Sequence, residues 1–506
     1  MTSIKIFDGN DTIGGNKIYL EENGKGIFLD FGMNFKKYGA FFQEYLIPRY
    51  TRGIYDLIHL NLIPHINIYR KDLIPLDLDV LSFPTLNVEA ILISHAHMDH
   101  CGNIGLLKLE YPIIASTTTF LLLKAISDTS SARLGSDVVY FSPKNQIENG
   151  NILESQRQKL IRRDLICTDK FTKSFNNFFK RCVQPRKEFI EGTISNIENR
   201  DFGMEIKSYE VDHSIYGATG YLISADNTIA YTGDFRLHGK KGKKSEVFFR
   251  NAKDAAVLII EGTRAAREDI NESEEIVFQK CLETAEQARG LIVADFTARN
   301  FERLEIFKKI AKQTGKTLIV TAKDAYLLDS LENADGINRM ENVLVYEEFK
   351  KGKKNWEYYL LNQDNGIDFI KPTEILKEQS NYIICFSLFD LKNLLDIKPT
   401  QGTYIYSSSE AFEEESEFDF QRLYNWLNHI GFEIFGFEII KKSGRLKPKF
   451  MEGYHASGHA SKSDLIKVID IVDPDIIIPV HTDNPKWFSK QFDNAVILKD
   501  NETYRL

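Results

Sequence analysis

The sequence predicts an α/β protein of two domains, one of which interrupts the other. Short apolar segments alternate with turns and helical stretches in residues 1–262, a strand–helix–strand pattern follows in 263–450, and 451–506 adds a helix and a strand. At 506 residues the chain exceeds one ordinary domain. We therefore expect a first domain in two parts, 1–262 and 451–506, around an inserted domain, 263–450.

The first informative element is the apolar run from Val88 to Ile93, which predicts a buried strand. A polar motif follows it at once and places four metal-binding side chains within six residues, namely His95, His97, Asp99 and His100. Imidazole and carboxylate groups suit zinc, and alternating residues in a turn can divide between two adjacent ions. A metal site at this strand end follows, because packing alone has no use for this spacing.

The later elements divide into two patterns. The segments GYLIS and TIAYTGD flank the turn 225–227 and predict a β-hairpin. After Glu261, LIVADF, NFERLEIFKKIAKQTG and TLIVTA read as strand, helix and strand, which is the parallel βαβ unit. The strands NYIICFS and GTYIYSSS are expected to extend that sheet.

Together, these motifs resemble the metallo-β-lactamase fold and, within it, the β-CASP nucleases, a family that includes ribonuclease J and the pre-mRNA cleavage and polyadenylation endonuclease. The resemblance implies a metallo-β-lactamase αββα sandwich with an inserted β-CASP α/β cap domain. The usual C-terminal domain of ribonuclease J is expected to be absent, because the sequence stops soon after His481. The matching positions outside the HxHxDH motif are Asp30, His213 in EVDHSIYG, Asp234 in YTGDF, Glu261 in LIIEGTR, His455 and His459 in YHASGHA, and His481 in IIIPVH.

The resemblance also implies a cofactor, two zinc ions per chain, with manganese as the alternative metal. The matching positions assign one ion to His95, His97 and His213. They assign the second ion to Asp99, His100 and His481, with Asp234 as the bridge.

The remaining site residues are implied in the same way. His459 is expected to be the general acid, Glu261 to orient it, and Asp30 to orient a ligand histidine. Substrate contacts are expected from His455, Ser457, Ser407 and Ser408. For His455 a simple loop role stays open, and for the two serines of YSSS an ordinary strand-to-helix turn stays open.

The implied function is a ribonuclease that hydrolyses phosphodiester bonds of single-stranded RNA by a two-metal hydroxide mechanism, in RNA processing or decay. Exonuclease and endonuclease action both stay open. One alternative is a DNA nuclease on the same scaffold, which His481 disfavours because histidine there is typical of RNA-cutting members. A lactamase-fold hydrolase of a small ester or thioester and a non-catalytic assembly subunit are the others, disfavoured by the β-CASP motifs and by the complete ligand set.

The charge of the chain bears on whether it can bind RNA. The net charge of −8 is unfavourable for binding phosphates, but basic residues are clustered, with ten of them in 157–187. Three shorter clusters begin at Lys240, Lys350 and Lys441. Each cluster alone is more often a solvated loop than a binding site.

Other features bear on location and assembly. Five scattered cysteines without a CxxC pair indicate reduced thiols, the start has no signal pattern, and no run is long enough to cross a bilayer. We therefore expect a cytoplasmic protein without membrane contact. The stretch after Asp30 is rich in Phe and Tyr, which can stack on unpaired bases but more often form a core or a subunit interface. We favour the interface, which makes a homodimer possible.

Overall fold

The structure, a computed structural model, describes residues 1–43, 45–130, 137–181, 188–267, 272–361, 366–408, 414–442 and 445–506. The chain forms two compact units. Unit 1 comprises Met1–Leu237, Lys241–Glu268 and His459–Leu506, and unit 2 comprises His238–Lys240 and Asp269–Gly458. Residues 451–458, which the sequence assigned to the first domain, thus group with unit 2.

Two sheets form the centre of unit 1. The first has, in order across the sheet, the strands Ile194–Asn196, Leu165–Cys167, Ile113–Ala115, Val88–Leu92, Lys25–Phe31, Lys17–Glu22, Thr2–Asp8 and Thr503–Arg505. The second has Glu205–Glu210, Thr219–Ser224, Thr228–Tyr231, Val257–Glu261 and Ile476–Val480. The predicted hairpin is confirmed, since Thr219–Ser224 and Thr228–Tyr231 pair antiparallel.

Apolar side chains hold the layers of unit 1 together. One buried cluster joins the two sheets, with Leu29 and Leu92 from the first and Tyr231 and Ile259 from the second. A second cluster packs the other face of the second sheet against helices, for example through Phe248. The sheets and helices therefore form the expected αββα layers. The helices of unit 1 are Phe35–Gly39, Tyr55–His59, Met98–Cys101, Thr117–Thr129, Lys173–Lys180, Gly242–Asn251, Lys462–Val472 and Lys486–Gln491, with 3-10 turns at Tyr50–Arg52, Lys71–Leu73, Ile104–Leu106, Glu148–Gly150 and Ile197–Asn199.

The added segment between the metal motif and His213 contains small sheets of its own. These are Tyr140–Phe141 with Lys159–Arg162 and Glu188–Ile190, and the hairpin Lys144–Ile147 with Ile152–Ser155. The basic cluster 157–187 lies largely here, and its residues 182–187 are outside the described residues. Arg163 of that cluster is fully buried and donates hydrogen bonds to the backbone carbonyls of Gly105, Leu107 and Lys108. This arginine supports the loop after the metal motif and is not a phosphate contact.

The shorter basic clusters are partly neutralised by carboxylates. Lys241 Nζ lies 2.6 Å from Glu210 Oε1, and Lys353 Nζ lies 2.8 Å from Glu347 Oε1. In the third cluster Lys449 pairs with Glu438, while residues 443–444 are outside the described residues. These carboxylates lie outside the basic clusters themselves, so a count of the basic residues overstated the positive charge.

Unit 2 is built on a parallel sheet with the strand order Asp368–Ile370, Val343–Tyr346, Thr317–Val320, Tyr382–Cys385, Leu291–Asp295, Gly402–Tyr406 and Phe432–Phe435. The predicted βαβ unit is present, but Tyr382–Cys385 lies between its two strands. The hairpin Phe437–Lys442 and Arg445–Phe450 is separate from the sheet. The helices are Glu274–Gln287, Phe301–Gln313, Ala322–Asp335, Asn355–Leu361, Pro372–Ile375, Leu394–Ile397 and Glu414–Ile430, with 3-10 turns at Gln379–Asn381 and Leu388–Asn393.

Asp295 at the end of a central strand of unit 2 gives a testable pH effect. Burial raises the pKa of Asp295 to about 7, and the Tyr404 hydroxyl donates to this carboxyl group. The folded state therefore binds the proton more tightly than the unfolded state does, and stability falls as the pH rises from about 4 to about 7. The variant Asp295→Asn has no carboxyl group to ionise at this position. Between pH 5 and pH 8, its unfolding free energy is therefore expected to rise by about 2 kcal/mol relative to that of the wild type. Urea unfolding at both pH values tests this, and a pH-independent difference would contradict it.

Membrane contact and disulfides were both expected to be absent. Within the described ranges, no helix combines the length and apolar character needed to cross a bilayer. Four of the five cysteines (Cys101, Cys167, Cys281 and Cys385) are described; they are buried and form no disulfide with one another.

Candidate metal centre

The HxHxDH motif lies on the loop and short helix that follow the strand Val88–Leu92, as predicted. Two backbone hydrogen bonds fix this loop: Gly15 N–H donates to Asp99 O and Met33 N–H donates to Met98 O, each at 2.9 Å. Gly14 has a φ of +81°, and a Cβ there would lie 2.7 Å from the Asp99 Cβ atom. Sequence reasoning missed this role of Gly14, which only glycine can fill.

The first predicted ligand group converges. His97 Nδ1 lies 3.0 Å from His95 Nε2 and 3.2 Å from His213 Nε2. Burial, reinforced by the neighbouring imidazoles, holds the pKa of His95 well below its ordinary value. A neutral imidazole is the form that binds a metal ion.

His213 and Asp234 lie on two neighbouring loops of the second sheet, and a buried ion pair links these loops. Arg236 Nε donates to Asp212 Oδ1 at 3.1 Å, and the Arg236 N–H donates to Asp212 O at 2.7 Å. Since Asp212 precedes His213 and Arg236 follows Asp234 closely, this pair fixes the two ligands relative to each other. The pair was not identified from the sequence.

The second predicted ligand group also converges. His481 Nε2 lies 3.2 Å from Asp99 Oδ2, and His100 Nε2 lies 3.7 Å from the same oxygen. The ring of His100 stacks near that of His481, with 5.0 Å between the centroids. The structure therefore brings His481 to the consecutive residues Asp99 and His100, although His481 lies 382 positions after Asp99.

Asp234 lies between the two groups. Its Oδ2 is 3.1 Å from His100 Nε2, 3.6 Å from His481 Nε2, 3.7 Å from His95 Nε2 and 4.0 Å from His213 Nε2. Burial opposes ionisation of Asp234, but the charges of His100 and His481 outweigh it and hold the pKa of Asp234 well below its ordinary value. Such a carboxylate is placed to contact two cations at once.

Two buried polar atoms at this centre indicate that metal ions fit it. Among the described residues, Asp234 Oδ1 is buried without a hydrogen-bond partner, and so is His100 Nε2, whose 3.1 Å contact with Asp234 Oδ2 does not have hydrogen-bond geometry. An unpaired buried polar atom costs free energy, so both atoms need a ligand. Nitrogen and carboxylate donors arranged in two groups match the preference of zinc, and the residues therefore fit the implied ions.

Asp30, at the end of Lys25–Phe31, orients His100. Its carboxylate accepts hydrogen bonds from Ser94 N and Ser94 Oγ at 2.7 Å each and from Tyr231 OH at 2.5 Å. Its Oδ2 lies 2.7 Å from His100 Nδ1. This contact places the imidazole proton on Nδ1 and leaves Nε2 available for a metal ion.

The Tyr231 hydroxyl reaches Asp30 from the opposite sheet, which yields a prediction. The variant Tyr231→Phe is expected to weaken zinc binding about tenfold and to destabilise the fold by about 1–2 kcal/mol, because Asp30 loses one donor. Chelator competition and thermal unfolding would measure the two effects. Tyr221→Phe is the matched control, since the buried Tyr221 hydroxyl donates to Ile93 O at 2.7 Å and not to Asp30. Equal zinc affinity in the two variants would refute the role given to Tyr231.

Glu261 and His459 form a pair beside the metal ligands. His459 Nδ1 lies 3.1 Å from Glu261 Oε1 and 3.9 Å from Asp234 Oδ2. Burial lowers the pKa of His459, but the charges of Glu261 and Asp234 outweigh it, so the pKa is raised overall. The second oxygen of Glu261 accepts the backbone N–H of Thr263 at 3.1 Å. Glu261 is thus held in a fixed orientation towards His459.

Thr263 is a further residue that sequence reasoning missed. Its Oγ1 lies 2.8 Å from His481 Nδ1 and 3.2 Å from His459 Nδ1. One hydroxyl group therefore contacts both a metal ligand and the predicted general acid. The sequence signal was present in LIIEGTR, two residues after Glu261, but nothing local indicated its partners.

The predicted substrate contacts lie in unit 2. The two ring nitrogens of His455 lie 3.0 Å from Ser408 O and 2.7 Å from Gly436 O, so backbone carbonyls occupy both of them. Ser407 is fully buried and its hydroxyl donates to Tyr454 O at 2.8 Å. Ser408 and Ser457 are half-buried. This arrangement favours a structural role for His455 and Ser407, and substrate contact by the four residues stays a prediction.

Comparisons with known proteins agree with this geometry. Residues 67–117 match the metallo-β-lactamase superfamily, and residues 445–489 match the Zn-dependent metallo-hydrolase RNA specificity domain. Ribonuclease J of Mycoplasma pneumoniae is 22% identical over 95% of this chain and 68% of its own length, and ribonuclease J of Pyrococcus abyssi is 21% identical over 95% and 90%. A crystal structure of a protein of unknown function from Enterococcus faecalis shares the fold, with a TM-score of 0.66, 20% identity and full coverage of both chains. These matches and the geometry together support the identification of the chain as a metallo-hydrolase with the metallo-β-lactamase fold and, within it, as a β-CASP nuclease.

Proposed function

We propose that this chain is a ribonuclease that hydrolyses phosphodiester bonds of single-stranded RNA with two zinc ions. The observation that carries the proposal is one carboxylate, Asp234, shared by two ligand groups with the Glu261–His459 pair beside it. The relatives named ribonuclease J and the match to an RNA specificity domain support RNA as the substrate.

The residues divide between two ion sites. His95, His97 and His213 would hold one ion, and Asp99, His100 and His481 the other, with Asp234 contacting both. Two bound divalent ions supply Lewis acidity: they lower the pKa of coordinated water to about 7 and offset negative charge on phosphate oxygens. Manganese, which accepts the same nitrogen and oxygen donors, is the alternative metal.

Proton transfer to the leaving group falls to His459. When the P–O3′ bond breaks, the departing oxygen needs a proton, and an imidazolium ion supplies it in the neutral pH range. Glu261 engages Nδ1 of His459, so the transferred proton would come from Nε2. Glu261 acts through His459 and is a positioning residue.

We also propose a homodimer. Exposed apolar side chains cluster in the segment after Asp30, namely Phe35, Phe41, Tyr45, Leu46 and Ile47. A second copy of the chain would cover them, which favours association in solution. Light scattering of wild type and Leu46→Asp tests this, and a monomeric wild type would reject it.

The nuclease proposal is tested with 5′-labelled and 3′-labelled single-stranded RNA and matched DNA. The enzymes are wild type, Asp99→Ala and His459→Ala, purified without chelator and supplied with zinc or manganese. We expect wild type to cleave RNA and both variants to lose this activity, and the product ladders to reveal end dependence. Preferred cleavage of DNA would favour a DNA nuclease. Failure to cleave either polymer with metal bound would favour hydrolysis of a small ester.

A further inference from the structure

Two loops of unit 2 adjoin at one edge of its parallel sheet. One follows the strand Val343–Tyr346 and the other follows the strand Tyr382–Cys385, so both leave carboxyl ends of strands. They are in contact, because Lys392 Nζ lies 3.7 Å from Glu348 Oε1. In open α/β sheets this edge is where ligands bind.

Each loop exposes a phenylalanine ring. Phe349 is 57% exposed and Phe389 is 80% exposed, whereas the sheet beneath them is built from buried apolar side chains. Leaving a large ring in water forgoes the free energy of burial. Two such rings on adjoining loops therefore point to a ligand with apolar faces.

The backbone that carries Phe389 is anchored in a capped turn. Phe389 lies in the 3-10 turn Leu388–Asn393, which is capped because Ser387 Oγ donates to Asp390 Oδ2 at 2.6 Å. Beyond Phe349, Lys354 N donates to Glu357 Oε2 at 2.7 Å, just before the helix Asn355–Leu361 begins. Anchored rings lose little conformational entropy when a ligand stacks on them.

The charges around the rings favour an anionic ligand. Lys351 and Lys354 are exposed, and neither side chain pairs with a carboxylate among the described residues. The acidic neighbours Glu347 and Glu348 are engaged by Lys353 and Lys350. Lys351 and Lys354 therefore present positive charge beside the rings, in a chain whose net charge is −8.

We propose that Phe349 and Phe389, with Lys351 and Lys354, form a platform that binds single-stranded RNA outside the metal centre. Bases stack on the two rings and the lysines contact phosphates, which is the combination by which proteins bind unpaired nucleic acid. The proposal rests on the proposed ribonuclease function and adds a second region of substrate contact. It assigns a role to the basic cluster that begins at Lys350.

The test measures binding by fluorescence anisotropy in the His459→Gln background, which keeps RNA intact. The probes are a 20-nucleotide uridine RNA and the same chain made of abasic residues. Because two stacking contacts are lost, Phe349→Ala/Phe389→Ala is expected to raise the Kd for the uridine RNA about 10- to 100-fold and to leave the Kd for the abasic chain unchanged. Phe349→Tyr/Phe389→Tyr is expected to restore binding.

The contribution of the lysines can be distinguished from that of the rings by the salt dependence of binding. Lys351→Gln/Lys354→Gln is expected to weaken binding of both probes and to reduce the dependence of Kd on salt by about two phosphate contacts. Lys377→Gln, an exposed lysine elsewhere in unit 2, is the control. In cleavage assays of the otherwise wild-type enzyme, the ring variants should raise KM and leave kcat unchanged, because stacking binds substrate and transition state equally.

Unchanged affinity of the alanine pair for uridine RNA would overturn the platform. Equal losses on the uridine and abasic chains would overturn it as well, since stacking needs bases. Loss of self-association with intact RNA binding would instead assign the surface to a protein partner. The proposed function fails if the wild-type enzyme cleaves no RNA. The platform is tested separately, because its evidence is the binding affinity of the ring variants.

Discussion

Replacing Asp234 by asparagine is expected to lower RNA cleavage on the order of 1,000-fold or more and to leave the protein with fewer than two tightly bound zinc ions. Asp234 Oδ2 lies within 4.0 Å of nitrogens from both ligand groups, so the carboxylate is the shared element of the centre. Asparagine keeps the size of the side chain but removes its negative charge. Asp99 would then be the one remaining anionic ligand of the proposed centre, so the repulsion between two adjacent dications would be less well compensated.

Zinc content by atomic absorption and cleavage of labelled RNA are measured on the same preparations. Asp226→Asn serves as the matched control, because Asp226 is an exposed carboxylate on the turn of the hairpin that leads to Asp234. It should retain both ions and full activity. Full zinc occupancy and normal cleavage in Asp234→Asn would contradict the proposal that the Asp234 carboxylate holds both ions.

The sequence was most informative where function is local. His95, His97, Asp99 and His100 follow one strand within six residues, so their chemistry could be read without knowing the fold. His213, Asp234 and His481 lie far apart, and only the resemblance brought them into one site. The structure supports that placement, because Asp234 Oδ2 lies 4.0 Å from His213 Nε2 and 3.6 Å from His481 Nε2.

The supporting residues could not be predicted. Tyr231 and Asp30 are separated by 201 positions and meet only because two sheets pack face to face. Gly14 matters because its hydrogen leaves room for the side chain of Asp99, which depends on the path of a distant loop. Such contacts have no periodicity or spacing in the sequence.

The local sequence pattern also did not predict which carboxylates pair with the basic clusters or the order of the strands in unit 2. Part of the positive charge of the basic clusters is offset by partners such as Glu210, which pairs with Lys241 and Lys244. The strand Tyr382–Cys385 entered between two strands of a βαβ unit, since pairing order is set by packing over the whole sheet. Fold class follows from repeated local patterns, whereas strand order and charge pairing follow from tertiary contacts.

Replacing His459 by glutamine is expected to lower kcat for RNA by about 100- to 10,000-fold while both zinc ions remain bound and KM changes little. The side chain is 22% exposed and its Nδ1 faces Glu261, so it can exchange a proton while held in place. Glutamine has a similar length but cannot donate a proton at neutral pH. Glu261→Gln should lower kcat less, about 10- to 100-fold, because the imidazole remains but loses its anionic partner.

A leaving group that needs no proton separates acid catalysis from a general loss of structure. A phosphodiester with a nitrophenolate leaving group should be hydrolysed by His459→Gln at close to the wild-type rate, because nitrophenolate departs as a stable anion. His429→Gln, an exposed histidine of the helix Glu414–Ile430, controls for the substitution itself. An equal loss on RNA and on the nitrophenyl ester, or a loss of zinc from His459→Gln, would show that His459 supports the metal centre and donates no proton.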